Sequence, residues 1–292
     1  MIVRKKLIIT VVLIVAAVSV FAQPGTEIYL FELKVGRGKV TIDNPRNISN
    51  RKGYDNQPYF HPDKPLIYYS SADDEGRTDI REYNLTNGQS RKITQTHDRE
   101  YSPRTTPDKN FISCILQRDS GAQDLVRYPV NGGDAEVIIG NHIVGYHTWV
   151  NQSTVAIFTL PQPFMLRLVD TRTGKDTVVA DRIGRSIHQI PGRNAVSYIK
   201  KLNDTEWMIM ALDVGTMAST PVIQTLPGRE KDMAWTPGVL ILMSDEKKIY
   251  YFRPGSEGGW KEVEMKSDVP PGTVTRLAVS PDGKKIAVVV NE

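Results

Sequence analysis

Leu277-Ala278-Val279-Ser280-Pro281-Asp282-Gly283-Lys284-Lys285-Ile286-Ala287-Val288 reads as strand, tight turn, strand. Proline presets φ for the second position of a type I turn, and aspartate and glycine suit the third and fourth. The apolar runs on either side are short and β-branched, as buried strands are. The pattern occurs earlier as Tyr59-Phe60-His61-Pro62-Asp63, leading into Leu66-Ile67-Tyr68-Tyr69, and as Thr105-Thr106-Pro107-Asp108, leading into Phe111-Ile112-Ser113. Asp63 and Asp108 stand 45 residues apart. A period of about 40–50 residues built from short strands predicts propeller blades.

A second series of markers runs in step with the first. Hairpin turns carrying glycine fall at Gly88, Gly133, Gly174, Gly215 and Gly255, at steps of 45, 41, 41 and 40 residues. Three further strand-turn-strand units are degenerate: Trp149–Ser153 before Val155, Ile190–Asn194 before Ala195, and Trp235–Gly238 before Val239. The chain starts with a second-series hairpin, Glu27–Ile42, and ends with a first-series one. The expected architecture is therefore an all-β, six-bladed propeller over residues 23–292. Its last blade is completed by pairing strands of Thr273–Asn291 with the N-terminal hairpin, which leaves no open edge.

Arg4, Lys5 and Lys6 precede the apolar run Leu7–Phe21, and Ala22 follows. That run is shorter than the ~20 residues of a spanning helix. Residues 1–22 are expected to be a secretory signal peptide, cleaved before Gln23, with membrane attachment only if it is retained. Losing its three cations takes the formal charge from +4 to +1, which gives no footprint for nucleic acid. The expected location is periplasmic or secreted. The lone Cys114, inside Phe111–Leu116, fits a buried core residue better than a nucleophile.

The turn repeats resemble those of the TolB-like, WD-like β-propeller family, whose repeat runs Pro-x-Trp-Ser-Pro-Asp-Gly into an apolar strand. Ser280-Pro281-Asp282-Gly283 matches fully, Pro58-Tyr59-Phe60-His61-Pro62-Asp63 well and Thr106-Pro107-Asp108 in part; Trp149 and Trp235 fall at the motif's aromatic position. The α/β domain that precedes the TolB propeller has no counterpart here. The resemblance implies a periplasmic propeller that binds partners.

The turn aspartates Asp63, Asp108 and Asp282 are accounted for as turn residues. No nucleophile elbow, phosphate loop or HExxH zinc motif occurs. The inner strand of each blade lines the central channel in such folds. Counting back from the turns nominates Gln57, Ser102, Tyr146, His147, His188, Asp232 and Arg276 as ligand-binding residues. Trp207 and Trp260 are secondary candidates for stacking a ligand. No cofactor is expected, although His147, His188 and Asp232 would suit a divalent metal if they converge. The expectation is a monomeric binding scaffold for an envelope protein, a peptide or a glycan. The alternative is a metal-dependent hydrolase, lactonase or lyase working in the channel.

Overall fold

The computed structural model describes residues 24–36, 38–228, 232–267 and 272–291. The signal-peptide expectation for residues 1–22 lies outside them. Among the described residues all regular structure is β. In chain order β1 spans Thr26–Val35 and β2 Val40–Asn47. Blade 1 holds β3 (Asp55–Phe60), β4 (Leu66–Ala72), β5 (Thr78–Asn84) and β6 (Ser90–Lys92). Blade 2 holds β7 (Arg99–Thr105), β8 (Phe111–Gln117), β9 (Gln123–Pro129) and β10 (Glu136–Ile139). Blade 3 follows with β11 (Ile143–Trp149), β12 (Thr154–Leu160), β13 (Met165–Asp170) and β14 (Asp176–Ala180). Blade 4 has β15 (Ile183–Gln189), β16 (Ala195–Lys201), β17 (Trp207–Asp213) and β18 (Ser219–Gln224). Blade 5 has β19 (Met233–Trp235), β20 (Ile241–Ser244), β21 (Ile249–Phe252) and β22 (Lys261–Glu262). Last come β23 (Glu264–Met265), β24 (Val274–Val279) and β25 (Lys285–Asn291).

The sixth sheet runs β23-β2-β1-β25-β24, so its inner strands come from the C-terminus and its outer pair from the N-terminus. The junction is the antiparallel β1–β25 ladder, seven residue pairs from Thr26↔Asn291 to Glu32↔Lys285. The six-bladed ring is thus closed by both termini, as the phase of the two marker series requires. β23 adds a parallel strand outside β2, through Thr41↔Glu264 and Ile42↔Met265.

The turn residues act as the sequence implies. Ser280 Oγ donates to Asp282 Oδ1 (2.6 Å) and accepts from Lys285 N (2.9 Å). Thr106 Oγ1 likewise donates to Asp108 Oδ1 (2.6 Å) and accepts from Phe111 N (3.2 Å). In blade 1 the imidazole of His61 takes this place, with Nδ1 accepting from Asp63 N and Lys64 N, each at 3.0 Å. Gly283 sits at φ +68, and an added Cβ would come 3.0 Å from Pro237 Cγ, so the turns of blades 5 and 6 pack against each other.

The core lies between blades. Val150, Phe158, Ile187 and Tyr198 share one buried cluster joining blades 3 and 4, and Phe31, Leu242, Ile286 and Val288 share one joining blades 5 and 6. Trp149 Nε1 donates to Ser113 Oγ of the preceding blade (3.0 Å), and Trp235 Nε1 to Ser197 Oγ (2.8 Å). Both indoles are therefore interblade ties. Cys114 is fully buried beside Ile112 and Val126, where burial pushes its thiol pKa well up and suppresses the thiolate.

Ending the chain at Val279 removes β25 and leaves β1 and β24 without their shared partner. The expected result is loss of cooperative thermal unfolding, read by circular dichroism, with aggregation on size exclusion. Asp282→Ala, which removes one turn acceptor, is expected to cost only about 1 kcal/mol while the protein stays folded.

Candidate functional site

The innermost strands are not regular. Their pairing registers slip at Asn56/Tyr59, Tyr101/Arg104, Val144/Tyr146, Ile183/Ile187 and Val274/Arg276, at corresponding places in five blades. Bulges of this kind re-aim side chains. In blades 1 and 2 the bulge needs a left-handed backbone, φ +57 at Gln57 and +56 at Ser102. Each is followed by proline, which has no N–H to leave unpaired on the channel wall.

Turn closure sets the register of the ring. His61 N, Thr106 N, Val150 N, Ile190 N, Thr236 N and Ser280 N each bond across their turn. Four residues before these stand Gln57, Ser102, Tyr146, Ser186, Asp232 and Arg276. Five of these are ring residues expected from the sequence. In blade 4 the equivalent is Ser186, and His188 lies two residues nearer the turn on the same face of the strand. The turn of blade 4, Gln189-Ile190-Pro191-Gly192, carries neither a polar cap nor the motif's aromatic or aspartate, so counting from residue types slips by two.

The predicted residues play unequal parts. Gln57 is 8% exposed and Ser102 8%. Gln57 Oε1 accepts from Ser102 N (2.6 Å) and Ser70 Oγ (2.9 Å), tying blade 1 to blade 2. Ser186 Oγ does the same between blades 4 and 5, accepting from Met233 N at 3.1 Å. His147 is 1% exposed and turned into the blade 2–3 interface, with Nε2 2.8 Å from Ser113 Oγ. Neighbours on a strand face opposite ways, so Tyr146 and His147 do not both point at the channel. The trio His147, His188 and Asp232 therefore does not converge, and among the described residues no three His, Cys, Asp or Glu side chains gather around a point an ion could occupy.

Asp232, His188, Arg276 and Tyr146 do come together. Asp232 Oδ1 is 3.9 Å from His188 Nε2 and Oδ2 is 3.8 Å from Arg276 Nη1. Burial is the largest single influence on Asp232 and would raise its pKa, but Arg276, His188 and Arg185 together outweigh it and hold the carboxyl below its usual range. Burial lowers the His188 pKa against the pull of Asp232, so the imidazole is neutral at pH 7; its Nε2 lies 3.0 Å from Ser186 Oγ. Arg276 donates Nε to Asn56 Oδ1 (3.1 Å) and sits 5.6 Å over the Tyr146 ring.

Two cavities meet at this level. The upper one, at the turn end, has about 580 Å³ and the lower about 540 Å³. Gln57, Tyr146, Arg185 and Arg276 line both and form the waist. The upper funnel is rimmed by Pro62, Pro107, Pro191, Pro237 and Pro281, with Tyr59, Trp149 and Trp235 on its wall. Among the described residues Asp232 is the one carboxylate on that lining, against Arg104, Arg185 and Arg276. Counting back from the turns missed Arg104 and Arg185. Arg104 lies two residues beyond Ser102 on the same face, and the two-residue period of strands could have found it. Trp207 and Trp260 line neither cavity: Trp207 is core, under Lys201 Nζ at 4.3 Å, and Trp260 donates Nε1 to Gln224 O (2.9 Å).

No protein-family model matches the chain, and no curated protein matches it. Solved structures do. A protein assigned as TolB from Agrobacterium tumefaciens aligns over 92% of this chain and 99% of its own, with 14% identity and a TM-score of 0.68. The fold is that of the TolB-like β-propellers. TolB from Acinetobacter baumannii aligns over 91% of this chain and 65% of that longer one, with 11% identity and a TM-score of 0.59. An oligogalacturonate lyase in complex with manganese aligns over 87% and 83%, with 14% identity and the same TM-score of 0.59. The same fold is thus found in TolB proteins and in an oligogalacturonate lyase.

Ser113 receives Trp149 and contacts His147 from the next blade. Ser113→Ala is expected to destabilise the fold by about 1–3 kcal/mol through these stranded partners, measured by urea denaturation. Burial holds the folded His147 pKa well below 6.5, so the unfolded chain protonates first. The stability this provides is complete above pH 6.5 and is lost as pH falls below it. His147→Asn is expected to flatten the fall in melting temperature between pH 6.5 and pH 5 relative to wild type.

Proposed function

We propose that this TolB-like propeller is a binding protein of the cell envelope, and that its upper funnel receives a negatively charged segment of a peptide or protein. The carrying observation is the funnel lining, with three guanidinium groups against one carboxylate. The envelope location is supported by the charged, apolar pattern of residues 4–22 and by the fold shared with TolB proteins.

The rim favours a peptide over a glycan. Sugar hydroxyls need a dense set of hydrogen-bonding partners. Prolines carry no N–H, and the indole N–H groups of Trp149 and Trp235 are already engaged across blades. What the rim presents is proline and aromatic ring surface, with Lys109, Asn151 and Gln152 at its edge, above a basic floor. That combination suits apolar side chains followed by an anionic group.

The metal-dependent lyase or lactonase reading rests on the approach of His188 to Asp232, an imidazole and a carboxylate on adjacent blades. Elemental analysis of protein equilibrated with manganese or zinc tests it. A stoichiometric metal in wild type that is absent from His188→Ala would establish that reading over the first.

Affinity selection on immobilised protein, from a random decapeptide library and in parallel from a panel of neutral and acidic oligosaccharides, tests the peptide reading. Wild type is expected to retain peptides. Ala278→Trp, which fills the funnel, is expected to lose them while still melting cooperatively. Retention of oligosaccharides alone would overturn the reading, and retention unchanged by Ala278→Trp would place the site outside the funnel.

A further inference from the structure

Arg104 is a guanidinium of the funnel that, among the described residues, has no carboxylate beside it. Its Nε donates to His147 O at 2.9 Å, and the Tyr59 ring lies 5.2 Å from Cζ. Among the described residues its two Nη nitrogens have no hydrogen-bond acceptor, and no carboxylate stands within 4.0 Å of it. Arg276 differs, being held by Asn56, Asp232 and Tyr146 at once. Burial pushes the Arg104 pKa down, although an arginine stays charged at any physiological pH, and the half-buried side chain turns its Nη edge to the open funnel.

The geometry of the open guanidinium edge is specific. Fixing Nε on the His147 carbonyl pins the guanidinium plane and leaves the Nη edge, a two-pronged donor that matches the two oxygens of a carboxylate. Arg104 lines the upper funnel and not the lower cavity, so it sits on the turn side of the waist. The funnel narrows towards Gln57, Tyr146, Arg185 and Arg276. A chain end can enter such a funnel end-on, whereas an internal acidic residue can reach its floor only if the chain doubles back between the rim prolines.

We propose that Arg104 receives the C-terminal α-carboxylate of a peptide or protein partner, inserted end-on with its last apolar side chains against Tyr59, Trp149 and Trp235. This rests on the peptide-binding reading of the funnel. It adds a recognition element, a free chain end, that the fold and its relatives do not specify.

The test uses the intact mature protein and two copies of one random decapeptide library, with free C-terminal carboxylates and with C-terminal amides. Selection is followed by fluorescence polarisation of the enriched sequences. Free-acid peptides are expected to be enriched, and amidation of each is expected to weaken binding by about tenfold or more. Arg104→Gln is expected to abolish that difference, and Arg104→Lys to keep part of it, because charge remains without the fork. Thermal melting checks that both variants stay folded, and Arg104→Lys also separates loss of charge from loss of the bond to His147.

If acid and amide forms are enriched equally and internal Asp or Glu residues determine affinity, the carboxylate-end inference is wrong while peptide binding stands. If neither library is enriched and the oligosaccharide panel is retained, both readings fall. Enrichment of free-acid peptides with unchanged affinity in Arg104→Gln would give the carboxylate to another residue and overturn the assignment.

Discussion

The β1–β25 ladder is the constraint on which everything else depends. Five blades fold from contiguous sequence, but the sixth exists only because Thr26–Glu32 pairs with Lys285–Asn291. Sheet stacking alone would leave the first and last blades as open edges. With the ring closed, each blade packs on two others, and a buried apolar cluster fills each of the six blade interfaces. The channel geometry follows from that closure. Asp232 of blade 5 and Arg276 of blade 6 lie within 3.8 Å only because the last blade is held in place by the first strand.

Closure also explains where polar chemistry is tolerated. Several buried polar side chains bond to a neighbouring blade, Gln57 to Ser102 N, Ser186 to Met233 N and Ser113 to Trp149, while Ser102 Oγ and His147 Nδ1 find no partner among the described residues. These bonds tie blade to blade at the level of the ring, so they set the width of the waist. Arg104, above the waist, differs, because it faces the axis and among the described residues its Nη nitrogens have no acceptor.

The repeat, the blade number and the closure were legible because turn chemistry recurs at fixed spacing. Pro281-Asp282-Gly283 and the glycine hairpins carry local information that tertiary context does not override. The ring was legible in the five blades where counting from the turn reaches the right residue. It slipped at His188, because the blade 4 turn has lost the polar cap, the aromatic and the aspartate together and leaves no marker of the register. His147 is a different case: it belongs to the upper lining, but strand alternation turns its ring towards Ser113, away from the face that carries Tyr146. The bulges were not legible, because they arise where the inner strand must bend around the axis, and that depends on the closed ring rather than on any one strand. Arg104 was overlooked because a single arginine in an inner strand carries no motif; it stands out only when its missing acceptors are seen.

The pairing of Thr26 with Asn291 brings the two ends of the described chain side by side, and Pro24 and Asn291 both line the lower cavity. Whatever is joined to either end, whether an uncleaved leader or a fused partner, therefore hangs from the same mouth. A tether there would orient the molecule with its proline-rimmed face directed outwards, away from the point of attachment. The face that carries the arginines would then be the one presented to its surroundings, with the tether in no position to obstruct it.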